Sequence, residues 1–144
     1  MNIKNIRIMI KEDYCSNEIA KLLEEKRFPM GEHLFMHVNK DNVFMTDDYA
    51  CLKLPWEEYK NFDEVYIPTI THQMAMKWLR EVHKIDISIC VSGGAIGWWY
   101  HIWEIPTLEN KLSHRLLRRG EGYPYLSYEE AVEAALKYSL ENLI

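Results

Sequence analysis

The clearest pattern in the chain is an alternation of apolar and polar positions, followed by a glycine turn and an aromatic segment. Ile85, Ile87, Ile89 and Val91 alternate with Asp86, Ser88, Cys90 and Ser92, after which Gly93, Gly94 and Gly97 precede Trp98 to Ile105. Alternation with a period of two is typical of a strand with one buried face, and a short glycine-containing connection joins antiparallel strands. The pattern predicts a β-hairpin over residues 85–105.

Two earlier segments carry apolar residues at helical spacing. The first covers residues 17–26 behind Ser16 and stops before Phe28-Pro29, because the residue before a proline is disfavoured in the α conformation. The second follows Thr69 or Thr71. Its expected buried stripe is Met74, Ala75, Trp78, Leu79 and Val82. Serine and threonine are favoured N-caps, so both segments are predicted to be amphipathic helices.

A third helix is predicted at the end of the sequence, over residues 127–144. Ser127 and Glu130 fit the capping box, in which each side chain accepts a hydrogen bond from a backbone N–H group at the start of the helix. The expected buried face is Val132, Ala135, Leu136, Ser139, Leu140 and Leu143. These residues recur at helical spacing, and we expect this helix to lie across the hairpin.

The remaining apolar runs are shorter. Residues 3–10 alternate as a first strand, and residues 33–38 and 43–45 flank a polar turn that predicts a second hairpin. Residues 46–68 are acidic and interrupted by prolines, and we interpret them as an ordered loop or a short helix. The predicted order is β-α-β-β-α-β-β-α. The fold class is therefore α+β, with one domain over residues 1–144, a mostly antiparallel sheet of about four to five strands, and two to three helices packed on it.

Composition and charge narrow the function classes. The chain of 144 residues is 48% hydrophobic, which is ordinary for a folded domain, and its net charge of -5 argues against a globally basic nucleic-acid-binding surface. The three cysteines are far apart and form no CxxC motif, which favours a reducing compartment. No run approaches the roughly 20 apolar residues of a membrane span, and no signal peptide is apparent. We expect a cytoplasmic protein that does not enter a membrane.

Three strings carry a resemblance: EIAKLLEEKRF at 18–28, PTITHQMAMKWLREVHKIDI at 68–87 and YLSYEEAVEAALKYSLENLI at 125–144. They cover about half of the chain, and they resemble a group of small uncharacterised proteins encoded in phages and prophage-like regions of Bacteroidetes. The resemblance implies a bacterial cytoplasm during phage or prophage expression. It brings no catalytic residues, because no activity is established for the group.

Catalytic and metal chemistry finds little support. His33 and His37 have the spacing of two metal ligands, but a zinc site needs three or four. Cys90 and His101 could face each other across the last hairpin as a nucleophile pair, although a structural role for both is favoured. The glycine-rich segment 92–97 lacks the GK[ST] ending of a phosphate-binding loop. We therefore expect no enzyme, no cofactor and no bound metal.

The aromatic strand is the strongest candidate for a binding surface. Trp99, His101 and Trp103 share one face, and Trp98, Tyr100 and Ile102 share the other. One set must pack under the helices. The other set is either covered by residues 46–68, or forms a protein interface that includes self-association, or stacks on nucleic-acid bases.

One basic cluster follows this strand: Lys111, His114, Arg115, Arg118 and Arg119. If residues 108–119 are helical, Arg115 and Arg119 lie along one side of that helix and could meet phosphate or an acidic partner. The favoured function is that of a non-enzymatic, small phage-type or prophage-type accessory protein that binds another protein or a second copy of itself. The alternative is a nucleic-acid-binding module that uses residues 111–119 and 98–103. The candidate site residues are Trp99, His101, Trp103, Arg115, Arg118 and Arg119.

Overall fold

Three helices and five strands follow one another in the part of the chain that the computed structural model describes. That part comprises residues 13–30, 35–37, 66–68, 70–92, 97–109, 113–120 and 124–144. The elements are α1 (Asn17–Glu25), β1 (Phe35–His37), β2 (Tyr66–Pro68), α2 (His72–Val82), β3 (Ile85–Val91), β4 (Trp98–Glu104), β5 (Arg115–Arg119) and α3 (Tyr128–Asn142). The α+β class and the three helices are confirmed.

The strands form two antiparallel sheets. β3, β4 and β5 form a three-stranded sheet in that order, and among the described strands β1 pairs with β2 alone. The predicted hairpin is confirmed, since Ile87 lies opposite Ile102 and Cys90 lies opposite Trp99. The prediction of one sheet with four to five strands is wrong for the described residues, because the two short strands pair only with each other there.

Only the first strand of the predicted second hairpin lies within the described residues. Residues 35–37 form β1, but β1 pairs with β2, with Phe35 opposite Pro68 and His37 opposite Tyr66. The interpretation of 46–68 as loop or short helix is wrong at its end, where Tyr66–Pro68 is a strand. A three-residue strand is too short to show a period, which is why the pattern did not predict it. The predicted strands at 3–10 and 43–45 lie outside the described residues.

All three predicted helix caps are confirmed. The side chains of Ser16, Thr71 and Ser127 accept hydrogen bonds from backbone N–H groups three residues later, at 3.3, 3.1 and 3.1 Å. The return bond of the predicted capping box is shifted by one residue: Glu130 accepts from the N–H of Leu126 at 3.1 Å, and not from Ser127. The two hydrogen bonds, to Ser127 and to Glu130, together stabilise the start of α3.

The helices α2 and α3 pack on the same face of the three-stranded sheet. They bury Ile85, Tyr100 and Ile102 against side chains such as Leu79 and Leu136. The position of α1 is different, because it packs against α3. Glu18 and Lys26 mark the two ends of this contact: Lys137 reaches Glu18 at 2.5 Å, and Lys26 donates to the carbonyl of Ile144 at 2.6 Å.

The buried stripe of α2 is rotated from its predicted position. Met74 and Val82 were expected inside but are 38% and 60% exposed, whereas His72 and Met76 are buried. Residues 72, 75, 76 and 79 recur at helical spacing, so the stripe starts at the polar His72. The sequence pattern did not predict this stripe, because histidine counts as a polar residue.

Gly97 gives the first prediction, because it has φ +148° and no room for a side chain. A Cβ atom there would lie 2.5 Å from Cβ of Pro124 and 2.8 Å from the carbonyl oxygen of Tyr125. We expect Gly97→Ala to destabilise the protein by about 2 kcal/mol or more, measured by denaturant unfolding. Leu126→Ala, at a position that is 80% exposed, is the control and should be near neutral. Equal stability of the two variants would contradict this account of the turn.

Candidate functional site

The three-stranded sheet has a second face, turned away from α2 and α3, which we call the open face. Residues directly opposite each other on paired strands point to the same side, so the register identifies its members. They are Asp86, Ser88 and Cys90 of β3, Trp99, His101 and Trp103 of β4, and Leu116 and Arg119 of β5. Leu116 is 40% exposed, so solvent reaches this face.

The central strand supplies a row of three ring side chains to the open face. Trp99, His101 and Trp103 are all half-buried. Trp103 donates from Nε1 to Oγ of Ser88 at 3.1 Å, which fixes its ring on the neighbouring strand. The ring centroids of His101 and Trp103 are 6.1 Å apart. The predicted division of the strand is thus what the structure has, with Tyr100 and Ile102 buried on the other side.

The three candidate arginines do not form one cluster, because Arg118 and Arg119 alternate along β5 and a register shift separates Arg115 from Arg119. Arg118 pairs with Ile102, but Leu116 pairs with Trp103, so β5 carries one extra residue between these two pairs. Arg118 therefore lies on the helix side, 4.6 Å from the ring centroid of Tyr138. Arg119 lies on the open face, opposite His101.

Arg115 is also directed away from the open face. It lies opposite Glu104, and its Nη2 atom is 2.8 Å from Oε2 of that residue. The conditional prediction of a helix over 108–119 is wrong, because Arg115–Arg119 is a strand paired with β4. Pairing with the aromatic strand overrode the helical spacing of the leucines, which is a tertiary effect. Lys111 lies outside the described residues.

A second polar arrangement joins the three helices. The carboxylate of Glu133 accepts three hydrogen bonds of 2.8 Å each, from the backbone N–H of Ser16, from its Oγ, and from Nε2 of His72. Burial raises the pKa of Glu133, but the hydrogen bonds from His72 and Ser16 outweigh burial and hold this pKa below its usual value. His72 is 5% exposed, whereas the side chain of Glu133 is 26% exposed, so the carboxylate stays partly accessible to water.

A pocket of about 540 Å³ opens beside this junction. Tyr14 and Tyr125 line it together with the carboxylates of Asp13, Glu129 and Glu130. Sequence reasoning missed this region, because its members come from separate helices and each has a local role as a cap or a helix residue. The serine and the histidine contact the same carboxylate and no bond between them is present. In a hydrolytic triad the imidazole contacts the hydroxyl. Here the carboxylate of Glu133 lies between the imidazole of His72 and the hydroxyl of Ser16.

The described residues offer neither a set of metal ligands nor a membrane-spanning helix. In the part of the chain described, no group of three or more His, Cys, Asp and Glu side chains is arranged to hold a metal ion. His37 lies on β1, and His33 lies outside the described residues. None of the helices seen in the structure is long and apolar enough to cross a membrane.

Comparisons with known proteins gave no relatives. No protein-family model, no curated protein and no solved structure matches this chain. The resemblance to phage-encoded and prophage-encoded proteins therefore stays a prediction. The geometry of the described residues is what supports any functional proposal.

Glu133→Gln gives the second prediction. An amide keeps one oxygen acceptor and replaces the other with an NH2 group, so all three donors lose a negatively charged acceptor and only one acceptor oxygen remains for them. We expect a loss of about 2 kcal/mol in the free energy of unfolding. Glu141→Gln is the matched control, since Glu141 is exposed on the same helix and should be near neutral. Equal effects in urea unfolding would contradict the structural role of Glu133.

The pH dependence of stability gives the third prediction. Because the folded-state pKa of Glu133 is below its unfolded-state pKa, the contribution of this carboxylate to stability is fully present above the unfolded-state pKa. It is lost as the pH falls through the lower folded-state pKa. We therefore expect the stability difference between wild type and Glu133→Gln to be constant near neutral pH and to shrink on acidification below the unfolded-state pKa of this carboxyl. A difference that grows on acidification would contradict this sign.

Proposed function

We propose that this protein acts without enzymatic chemistry, by binding a second copy of itself through the open face. The observation that carries the proposal is the row of Trp99, His101 and Trp103 on the central strand. These rings are on the opposite side of the sheet from the helices that bury Tyr100 and Ile102. Tryptophan is enriched at the energetic centres of protein interfaces, since one ring buries a large area at little entropic cost.

A second copy fits this face because the face is self-complementary. A two-fold axis along the strands would place β3 of one copy over β5 of the other and would stack the two central rows. Asp86 and Arg119 lie on these two outer strands, so each acidic strand would face a basic one. Asp86 is also 3.7 Å from Arg80, but a loose surface pair of this kind contributes little and does not prevent a new one.

The size of the face sets the expected affinity. β3 and β4 each have seven residues, so the sheet extends roughly 23 Å along the strands and roughly 14 Å across three of them. Its footprint is then roughly 300 Å², whereas a standard stable interface buries about 800 Å² on each partner. We therefore expect weak self-association, with a dissociation constant of about 10 μM or weaker.

Nucleic-acid binding is less well supported than in the sequence-based prediction. Arg115 lies against Glu104 and Arg118 lies over Tyr138, so Arg119 alone of the three arginines accompanies the aromatic row. Neutralising phosphates needs several cations on one surface.

We further propose that the protein works in a bacterial cytoplasm, which is the setting that the cysteine usage and the phage resemblance favour.

A pair of matched variants tests self-association and gives the fourth prediction. Leu116→Glu places a carboxylate opposite Trp103 on the open face, and Leu126→Glu places one at a position that is 80% exposed outside it. We expect Leu116→Glu to weaken self-association at least about tenfold, because a charge would be buried without a partner. Leu126→Glu should associate like the wild type.

Sedimentation velocity over a concentration series measures the effect, and circular dichroism checks that both variants are folded. A wild type that remains a monomer at every concentration would refute self-association. It would also direct attention to a different protein as the partner. Equal association of the two variants would show that the copies meet through another surface.

A further inference from the structure

The open face also carries a close contact between a thiol and an imidazole. Sγ of Cys90 is 3.3 Å from Nδ1 of His101, within hydrogen-bonding distance for sulfur. The two residues are diagonal neighbours, since Cys90 lies opposite Trp99 and Ser88 lies opposite His101. The thiol is a donor and a neutral imidazole nitrogen is an acceptor, so Nδ1 is in position to take the thiol hydrogen.

Cys15 provides a contrast within the same chain. It is 1% exposed, and burial raises the pKa of its thiol, with a smaller contribution from the negative charge of Glu133. A thiol in such surroundings stays protonated and unreactive. Cys90 is half-buried on a face that solvent reaches, and it has a base in contact with it. Of these two cysteines, Cys90 is the one equipped to act as a nucleophile.

We propose that Cys90 and His101 form a nucleophilic thiol–imidazole pair that exchanges with small anionic disulfides. The thiol hydrogen passes to Nδ1 of His101, and the sulfur forms a bond to one sulfur of the disulfide. The disulfide bond breaks, and its other half leaves as a thiolate. Cys90 is thereby oxidised to a mixed disulfide, and the leaving half is reduced.

The residues around Cys90 and His101 favour disulfides that carry negative charge. Arg119 lies opposite His101 on the open face, so a fixed positive charge borders the site. Cys90 and Arg119 lie on the two outer strands, two strand spacings or roughly 10 Å apart, so this charge acts on the sulfur most strongly at low ionic strength. Anionic disulfides would therefore be concentrated near Cys90, and the departing thiolate would be stabilised.

Ellman's reagent, an anionic aromatic disulfide, tests the proposal by this same exchange. The release of thionitrobenzoate gives the rate, and mass spectrometry of peptides identifies the modified cysteine. We expect Cys90 of the folded wild type to react first, and Cys15 to react only on unfolding. His101→Gln should slow the Cys90 reaction at least about tenfold, since the base is lost. His114→Gln, which removes an exposed histidine outside the strands, should react like the wild type.

Measurement in strong denaturant tests whether the effect of His101→Gln on the reaction rate depends on the folded structure. There the wild type and His101→Gln should react at the same rate, because the pair exists only in the folded protein. Earlier modification of another cysteine in the folded protein, or an unchanged rate in His101→Gln, would overturn the proposal. The assay is run at high dilution, where the proposed dimer has dissociated, so its result is independent of self-association.

Discussion

The carboxylate of Glu133 is the contact on which the arrangement of the helices depends. It links α3 to the N-cap of α1, which is 117 residues away in the sequence, and to the first residue of α2, which is 61 residues away. A partly buried carboxylate is costly unless donors surround it, and Ser16 and His72 are those donors. One side chain therefore fixes where three helices begin relative to one another.

This junction has a consequence for the sheet. With α2 and α3 held together, their buried side chains form a single surface that accepts Tyr100 and Ile102 of the central strand. Strict alternation then directs Trp99, His101 and Trp103 to the opposite side. The chemistry of the open face thus follows from the packing of the helical layer, because a strand cannot bury both of its faces under the same two helices.

Local patterns predicted much of this fold, and non-local contacts explain what they missed. The caps at Ser16, Thr71 and Ser127 and the hairpin of β3 and β4 depend on neighbouring residues, and their signals lie in a few positions. The pairing of β1 with β2 and the hydrogen bonds of Glu133 join segments that are distant in the chain. A single sequence contains no pattern that predicts such long-range contacts. Among the site residues, the aromatic row was predictable from alternation. The separation of the arginines was not, because it depends on how β5 aligns with β4.

The extra residue in β5 has a broader meaning for how this surface is specified. Leu117 lies between the two registers, and it is the reason that Leu116 and Arg119, three residues apart in sequence, face the same side of the sheet. If β5 alternated strictly from Arg119 without this bulge, Leu116 would turn towards the helices and Arg115 towards the open face. The electrostatics of both surfaces are therefore set by this bulge as much as by the composition of the strand. Loss of the bulge without any change of sequence would bring the charge of Arg115 to the open face while leaving the net charge of the protein unchanged.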